Sequence, residues 1–180
     1  MKISINRCMK GAAVSALSLG MLAVPAQAQD QAQAPASERP AACKAFDFIL
    51  GHWKLVDWKT GESPGSPTAT FERGINDCSM KETFFIEGKP YFDVLYAYST
   101  ETATWSIYGV GVTRGLIMRY EDGVFHGNEI RFDHVEPHTN GRFSYFNLPD
   151  GTIRERMEST KDGGITWKTE FDMKWTRIKP

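Results

Sequence analysis

The chain has 180 residues, with 21 basic and 22 acidic side chains, 41% hydrophobic residues and three cysteines. This balance leaves no electrostatic footprint for nucleic acid or for an anionic membrane surface. The length suffices for one hydrophobic core rather than two.

Residues 1–28 read as a secretory signal peptide. Lys2, Arg7 and Lys10 precede an apolar run to Val24, and Ala26-Gln27-Ala28 supplies an A-x-A cleavage site. The run is too short for a stable membrane anchor, so the expected product is exported, periplasmic or extracellular, with no membrane span. Cleavage leaves 18 basic side chains against 22 acidic ones. Residues 29–42, QDQAQAPASERPAA, carry no large apolar side chain and read as a disordered leader. A single domain is then expected over 43–180. Cys8 leaves with the signal, so Cys43 and Cys78 are the pair expected to form a disulfide in an oxidising compartment. Neither has the close second ligand of a structural zinc site.

The domain opens with a short apolar helical turn, Phe46-Asp47-Phe48-Ile49-Leu50, then Gly51 and a strand containing Trp53. Further β-prone segments follow at 68–75, 80–87, 91–99, 105–112, 116–121, 124–126, 129–135 and 143–148, separated by Gly, Pro, Asn and Asp. Asp122-Gly123 and Asp150-Gly151 read as two-residue hairpin turns. No run of a dozen residues holds the helical period. The pattern describes an all-β antiparallel meander of about eight to ten strands. An up-and-down barrel removes the exposed edges that an open meander would leave, and a two-sheet sandwich is the alternative. A barrel of this size can enclose one small ligand.

The best-patterned segment is the hairpin 152–176. Its second arm sets Trp167, Phe171, Met173 and Trp175 on one face and Lys168, Glu170, Asp172 and Lys174 on the other. With Lys161 opposite Ile165, the outward pairs are Arg154 with Asp172, Arg156 with Glu170 and Glu158 with Lys168, all of opposite charge. A slip of one residue would bury Arg154, Arg156 and Glu158. This register turns Glu155 inward, between Phe146 and Phe171. Glu82 shares a face with Met80, Phe84 and Ile86, so it is the second inward carboxylate.

Desolvated carboxylates are candidates for general acid and base, or for anchoring a polar ligand group. The plainer reading is that each accepts hydrogen bonds from a tyrosine, tryptophan or arginine inside the barrel. Phe84, Tyr108, Phe146, Met157, Trp167 and Phe171 are the expected apolar ligand contacts. Arg119 and His126 face each other across the Asp122-Gly123 turn and point to solvent. His134 and His138 have helical i, i+4 spacing, but Pro137 places them in a loop, so no metal site is expected. There is no G-x-S-x-G elbow, no free thiol once Cys43 and Cys78 pair, and no phosphate-binding glycine loop, so no cofactor is expected. Three functions remain: binding of a small apolar or aromatic molecule, a cofactor-independent lyase, isomerase or hydrolase, and a structural or partner-binding envelope protein.

Phe46-Asp47-Phe48-x-x-Gly51-x-Trp53, Asp77-Cys78 followed by Glu82, Trp105, Asp162-Gly163-Gly164-Ile165-Thr166-Trp167 and Arg177 together resemble a family of exported bacterial proteins, the domain of unknown function numbered 1579. The resemblance spans the whole mature domain. It implies a lipocalin-like barrel and brings no reaction or ligand. Gly51-x-Trp53 is similar to the lipocalin signature in which a tryptophan plugs the barrel base and a basic residue of the last strand stacks on it, a structural role that falls to Arg177. Small barrels that bind haem use a histidine near the C-terminus, and none follows His138.

Overall fold

The computed structural model describes residues 39–111, 117–136 and 140–179. The signal-peptide reading, most of the leader, the turn at 113–115 and His138 lie outside the described residues. Ala41 and Ala42, read above as the end of the leader, belong to a short helix, α1 (Ala41–Ala45), followed by a 3-10 turn (Asp47–Ile49). Eleven strands follow: β1 (Gly51–Asp57), β2 (Thr68–Arg73), β3 (Ser79–Ile86), β4 (Lys89–Ser99), β5 (Thr104–Gly111), β6 (Ile117–His126), β7 (Glu129–Phe132), β8 (His134–Glu136), β9 (Gly141–Asn147), β10 (Ile153–Ser159) and β11 (Lys168–Arg177).

All pairings are antiparallel. The order β5-β4-β3-β2-β1-β11-β10-β9-β7-β6 closes on itself through β5–β6, making a ten-stranded barrel, and β8 adds an extra strand against Arg119–Glu121 of β6. Closure pairs the first and last strands, Trp53 opposite Arg177 and Leu55 opposite Trp175, which removes the free edges an open meander would expose. Alternation then sends one face of each strand inward. Trp53 and Leu55 of β1, Phe71 of β2, Met80 of β3, Tyr96 of β4, Trp105 and Ile107 of β5 and Trp175 of β11 are all buried.

The α1 and 3-10 segment plugs the barrel. Phe46 and Ile49 are fully buried, and the Phe46 ring lies edge-on to Trp105 at 5.1 Å and to Tyr96 at 5.8 Å. Three devices hold this segment. Cys43 and Cys78 form a disulfide. Arg39 and Arg73 both reach the Asp47 carboxylate. The Trp53 indole N–H donates to the Ile49 carbonyl at 2.7 Å, while the Arg177 guanidinium stacks 4.2 Å from the Trp53 ring and donates to the Leu50 carbonyl at 2.8 Å. Gly51 is required here: its φ is +122°, and a β-carbon would sit 2.3 Å from Arg177 Nη1.

Two turns differ from the sequence reading. Asp122-Gly123 is not a hairpin turn, because β6 runs through it. Tyr120 pairs with Ile107 and Gly123 with Trp105, so β6 carries an extra residue and bulges, with Asp122 at φ 58°. Gly123 lets the Phe132 ring approach so closely that a β-carbon would lie 2.3 Å from it. The chain turns instead at Gly127-Asn128, where His126 meets Glu129. Arg119 therefore lies opposite Tyr108 and Glu136, not His126.

The turn at Asp150-Gly151 is one residue longer than expected. The Gly151 N–H bonds the Leu148 carbonyl, the Leu148 N–H bonds the Thr152 carbonyl, and Gly151 has φ 77°, so Pro149 joins the turn. That added residue pairs Phe146 with Arg154 and Tyr145 with Glu155, putting Phe146 on the outer face with Arg156 above its ring at 5.1 Å.

The β10–β11 register also differs, by two residues. Ile153 lies opposite Trp175, Glu155 opposite Met173 and Arg156 opposite Asp172, with a bulge between Met157 and Glu158. From Ile153 to Met157 the shift is even and preserves the faces, so Glu155 stays inward; past the bulge it is odd, pairing Glu158 with Thr169, and Glu158 is buried. Arg154 still reaches Asp172 at 2.5 Å, now diagonally, while Glu158 pairs with Arg142 at 2.7 Å and Arg156 at 3.3 Å instead of Lys168. The shift arises because residues 160–167 form a wide loop in place of a tight turn. In it the Asp162 carboxylate accepts from the Thr160 hydroxyl and from the Thr166 amide and hydroxyl. Those donors hold Asp162 down at about 2.

Candidate functional site

The barrel encloses a cavity of about 240 Å³, smaller than the roughly 300–1,000 Å³ of pockets that take drug-sized ligands. Its apolar wall comes from alternate residues of the strands. Phe84 of β3 stacks on Phe92 of β4, centroids 4.4 Å apart and rings inclined by 7°. Val94 and Ile107 line the β4–β5 side, and Phe143, Phe171 and Met173 line the β9–β11 side. Glu82 and Glu155 border this one cavity.

Each carboxylate occupies a position where the period-2 pattern would otherwise place an apolar side chain. Glu82 sits between Phe71 of β2 and Val94 of β4 and is 3% exposed. The Tyr96 hydroxyl donates to Glu82 Oε2 at 2.5 Å, and the Tyr145 hydroxyl lies 2.9 Å from the Tyr96 hydroxyl. Burial pushes the Glu82 carboxyl up to about 8; the Tyr96 hydrogen bond opposes this and the neighbouring Glu155 charge adds to it. Burial likewise holds the Tyr96 and Tyr145 phenols well above their ordinary range. Glu82 is therefore a satisfied buried acid within a hydrogen-bonded chain, matching the plainer reading of it.

Glu155 is held differently. It lies opposite Tyr145 and Met173, and its one hydrogen-bond partner among the described residues is Trp175, whose indole N–H donates to Oε2 at 2.8 Å. It retains partial exposure where it borders the cavity. Burial pushes it up to about 7, against the Trp175 hydrogen bond. Near neutral pH this carboxyl can therefore exchange a proton or meet a ligand. A third polar group, the Tyr120 hydroxyl, has among the described residues only a 3.8 Å contact to Met118 Sδ, and Tyr120 is 8% exposed. Among the described residues, no lysine, arginine or histidine lines the cavity.

Of the apolar contacts expected from the sequence, Phe84 and Phe171 line the cavity. Met157 is buried in the core but does not border it. Tyr108, Phe146 and Trp167 do not face it. Tyr108 is on the outer face, donating to Glu121 Oε1 at 2.8 Å, because the inward phase of β5 belongs to Trp105 and Ile107. Trp167 precedes β11, bonded to the Gly164 carbonyl and capped by Arg142 at 4.0 Å. The sequence reading does not assign Tyr96, Tyr120 or Tyr145, the phenols of the cavity, to the site. Their signal is phase: Tyr96 lies two residues from Val94, and Tyr145 two from Phe143. No protein-family model matches the chain, and no curated protein matches it.

Proposed function

We propose that the protein binds one small, largely aromatic or apolar molecule inside the barrel, in a non-reducing compartment outside the cytoplasm. The observation that carries this is the cavity itself. A core that served stability alone would be filled to crystal-like density, whereas here about 240 Å³ is left open between aromatic walls and two carboxylates. The Cys43–Cys78 disulfide agrees with the compartment, as does the signal-like N-terminus. The lipocalin-like architecture implied by the resemblance to the 1579 family would put a ligand in the same interior. Native mass spectrometry and organic extraction of protein purified from its own source should yield a bound small molecule. The variant Val94→Phe, which fills the cavity, should lose it. A wild-type protein that carries and takes up nothing would overturn the proposal.

A second reading rests on Glu155 alone. A carboxyl near 7 beside a cavity is suited to general-base work in a cofactor-independent lyase, isomerase or hydrolase. In that case Glu155→Gln abolishes turnover while ligand affinity stays within a few-fold. Turnover unchanged in the variant removes this reading.

A further inference from the structure

We infer that the preferred ligand is a small aromatic amine bound as its ammonium ion, with an ammonium N–H donated to the free oxygen of Glu155 and the ring held among the aromatic walls. This rests on the proposed interior binding site and specifies its chemistry.

Three observations converge. First, the polar atoms bordering the cavity offer acceptors without a matching cation. Trp175 donates to Oε2 of Glu155, and among the described residues no donor meets Oε1, leaving it for an incoming donor. Second, Tyr120 is 8% exposed and borders the same space, and among the described residues the hydrogen-bond contact of its hydroxyl is to a thioether sulfur at 3.8 Å. Such a hydroxyl lacks a strong partner, and its oxygen is a second acceptor for an ammonium group. Third, the surrounding wall is aromatic: Phe143 lies 4.5 Å from Tyr120 and 4.9 Å from Tyr145, and Tyr145 lies 5.9 Å from Trp175. Ring faces attract a desolvated cation and a ligand ring alike.

The charge balance points the same way. Glu82 from β3 and Glu155 from β10 are the acids facing the site, and Tyr96, Tyr120 and Tyr145 from β4, β6 and β9 are the phenols. None of these can become a cation. Ionising Glu155 in the empty barrel is opposed by burial, and an ammonium ion supplies the compensating charge. An anionic ligand would meet two carboxylates and no donor of positive charge. A neutral one would leave the acceptors less fully used.

The test uses three probes of one shape: benzylamine, benzyl alcohol and benzoate, titrated by calorimetry at pH 7.5. Benzylamine should bind at least tenfold tighter than benzyl alcohol, with benzoate weakest. Glu155→Gln should cut the amine preference to within about threefold. In the wild type, which decides the matter even if the variant misfolds, the preference should shrink as pH falls from 8 to 5.5 and Glu155 takes up its proton. Equal or tighter binding of benzyl alcohol, or a preference for benzoate, overturns the inference while leaving interior binding intact. Failure of all three probes to bind overturns the inference, and overturns interior binding as well when protein purified from its own source carries nothing.

Discussion

Replacing Glu82 by glutamine should make the protein more stable at neutral pH, by an amount that grows with pH. The Glu82 carboxyl sits at about 8 in the folded protein against 4.5 in an unperturbed chain, chiefly because it is buried. Between these values the folded state holds the proton that the unfolded state has released. The folded state therefore binds more protons, and stability falls as pH rises from about 4.5 to about 8. At 1.36 kcal/mol per unit, the fall from pH 5 to pH 7 is about 2–3 kcal/mol for this group. The glutamine amide is neutral throughout, and its carbonyl can still accept from the Tyr96 hydroxyl. Urea unfolding of both proteins at pH 5, 6, 7 and 8 reads the difference directly. The gap between variant and wild type should widen by about 2–3 kcal/mol from pH 5 to pH 7, with the m-value unchanged. A gap independent of pH would show that Glu82 is ionised in the folded state and refute the reasoning.

Three further substitutions test the scaffold. The double variant Cys43→Ser and Cys78→Ser removes a bridge across a sequence separation of 35 residues and should lower unfolding stability by about 3–4 kcal/mol; the reduced wild type should show the same loss. Arg177→Lys keeps the charge but loses the guanidinium plane on Trp53 and the paired donation to Leu50 and Phe48. A cost of about 1–2 kcal/mol, read from the shift in the denaturation midpoint, is expected. Gly123→Ala drives a methyl group into the Phe132 ring and should cost about 1–3 kcal/mol, whereas an alanine in an exposed hairpin turn would not meet that ring.

The legible and illegible parts of this chain divide by how locally they are determined. Turn chemistry and period-2 alternation suffice for an antiparallel closed barrel, and Glu155 can be turned inward because the opposite phase would bury Arg154 and Arg156; Glu158, beyond the bulge, is buried all the same, paired with Arg142 and Arg156. That inference survives an error of two residues in register, since the side-chain period is two. Phe146 does not survive an error of one: Pro149 enters the turn and reverses the phase of β9 relative to β10. Tyr108 is obscured because β5 is apolar on both faces, with Tyr108 and Val110 exposed outside and Trp105 and Ile107 buried within. The Asp122-Gly123 bulge depends on Phe132, nine residues beyond Gly123, packing against a position that no local pattern marks. The tyrosine chain runs from Glu82 through Tyr96 on the neighbouring strands β3 and β4 to Tyr145 on β9, which only closure of the barrel brings to them.

The most direct test of the interior site is a methyl NMR titration of the isotopically labelled protein with a small aromatic amine. Saturable shifts are predicted for the methyls of Val94, Ile107, Met118 and Met173, which border the cavity, while Leu95 and Val110 on the outer face stay fixed. Shifts confined to the outer-face methyls, or no saturable shift at all, would contradict the account.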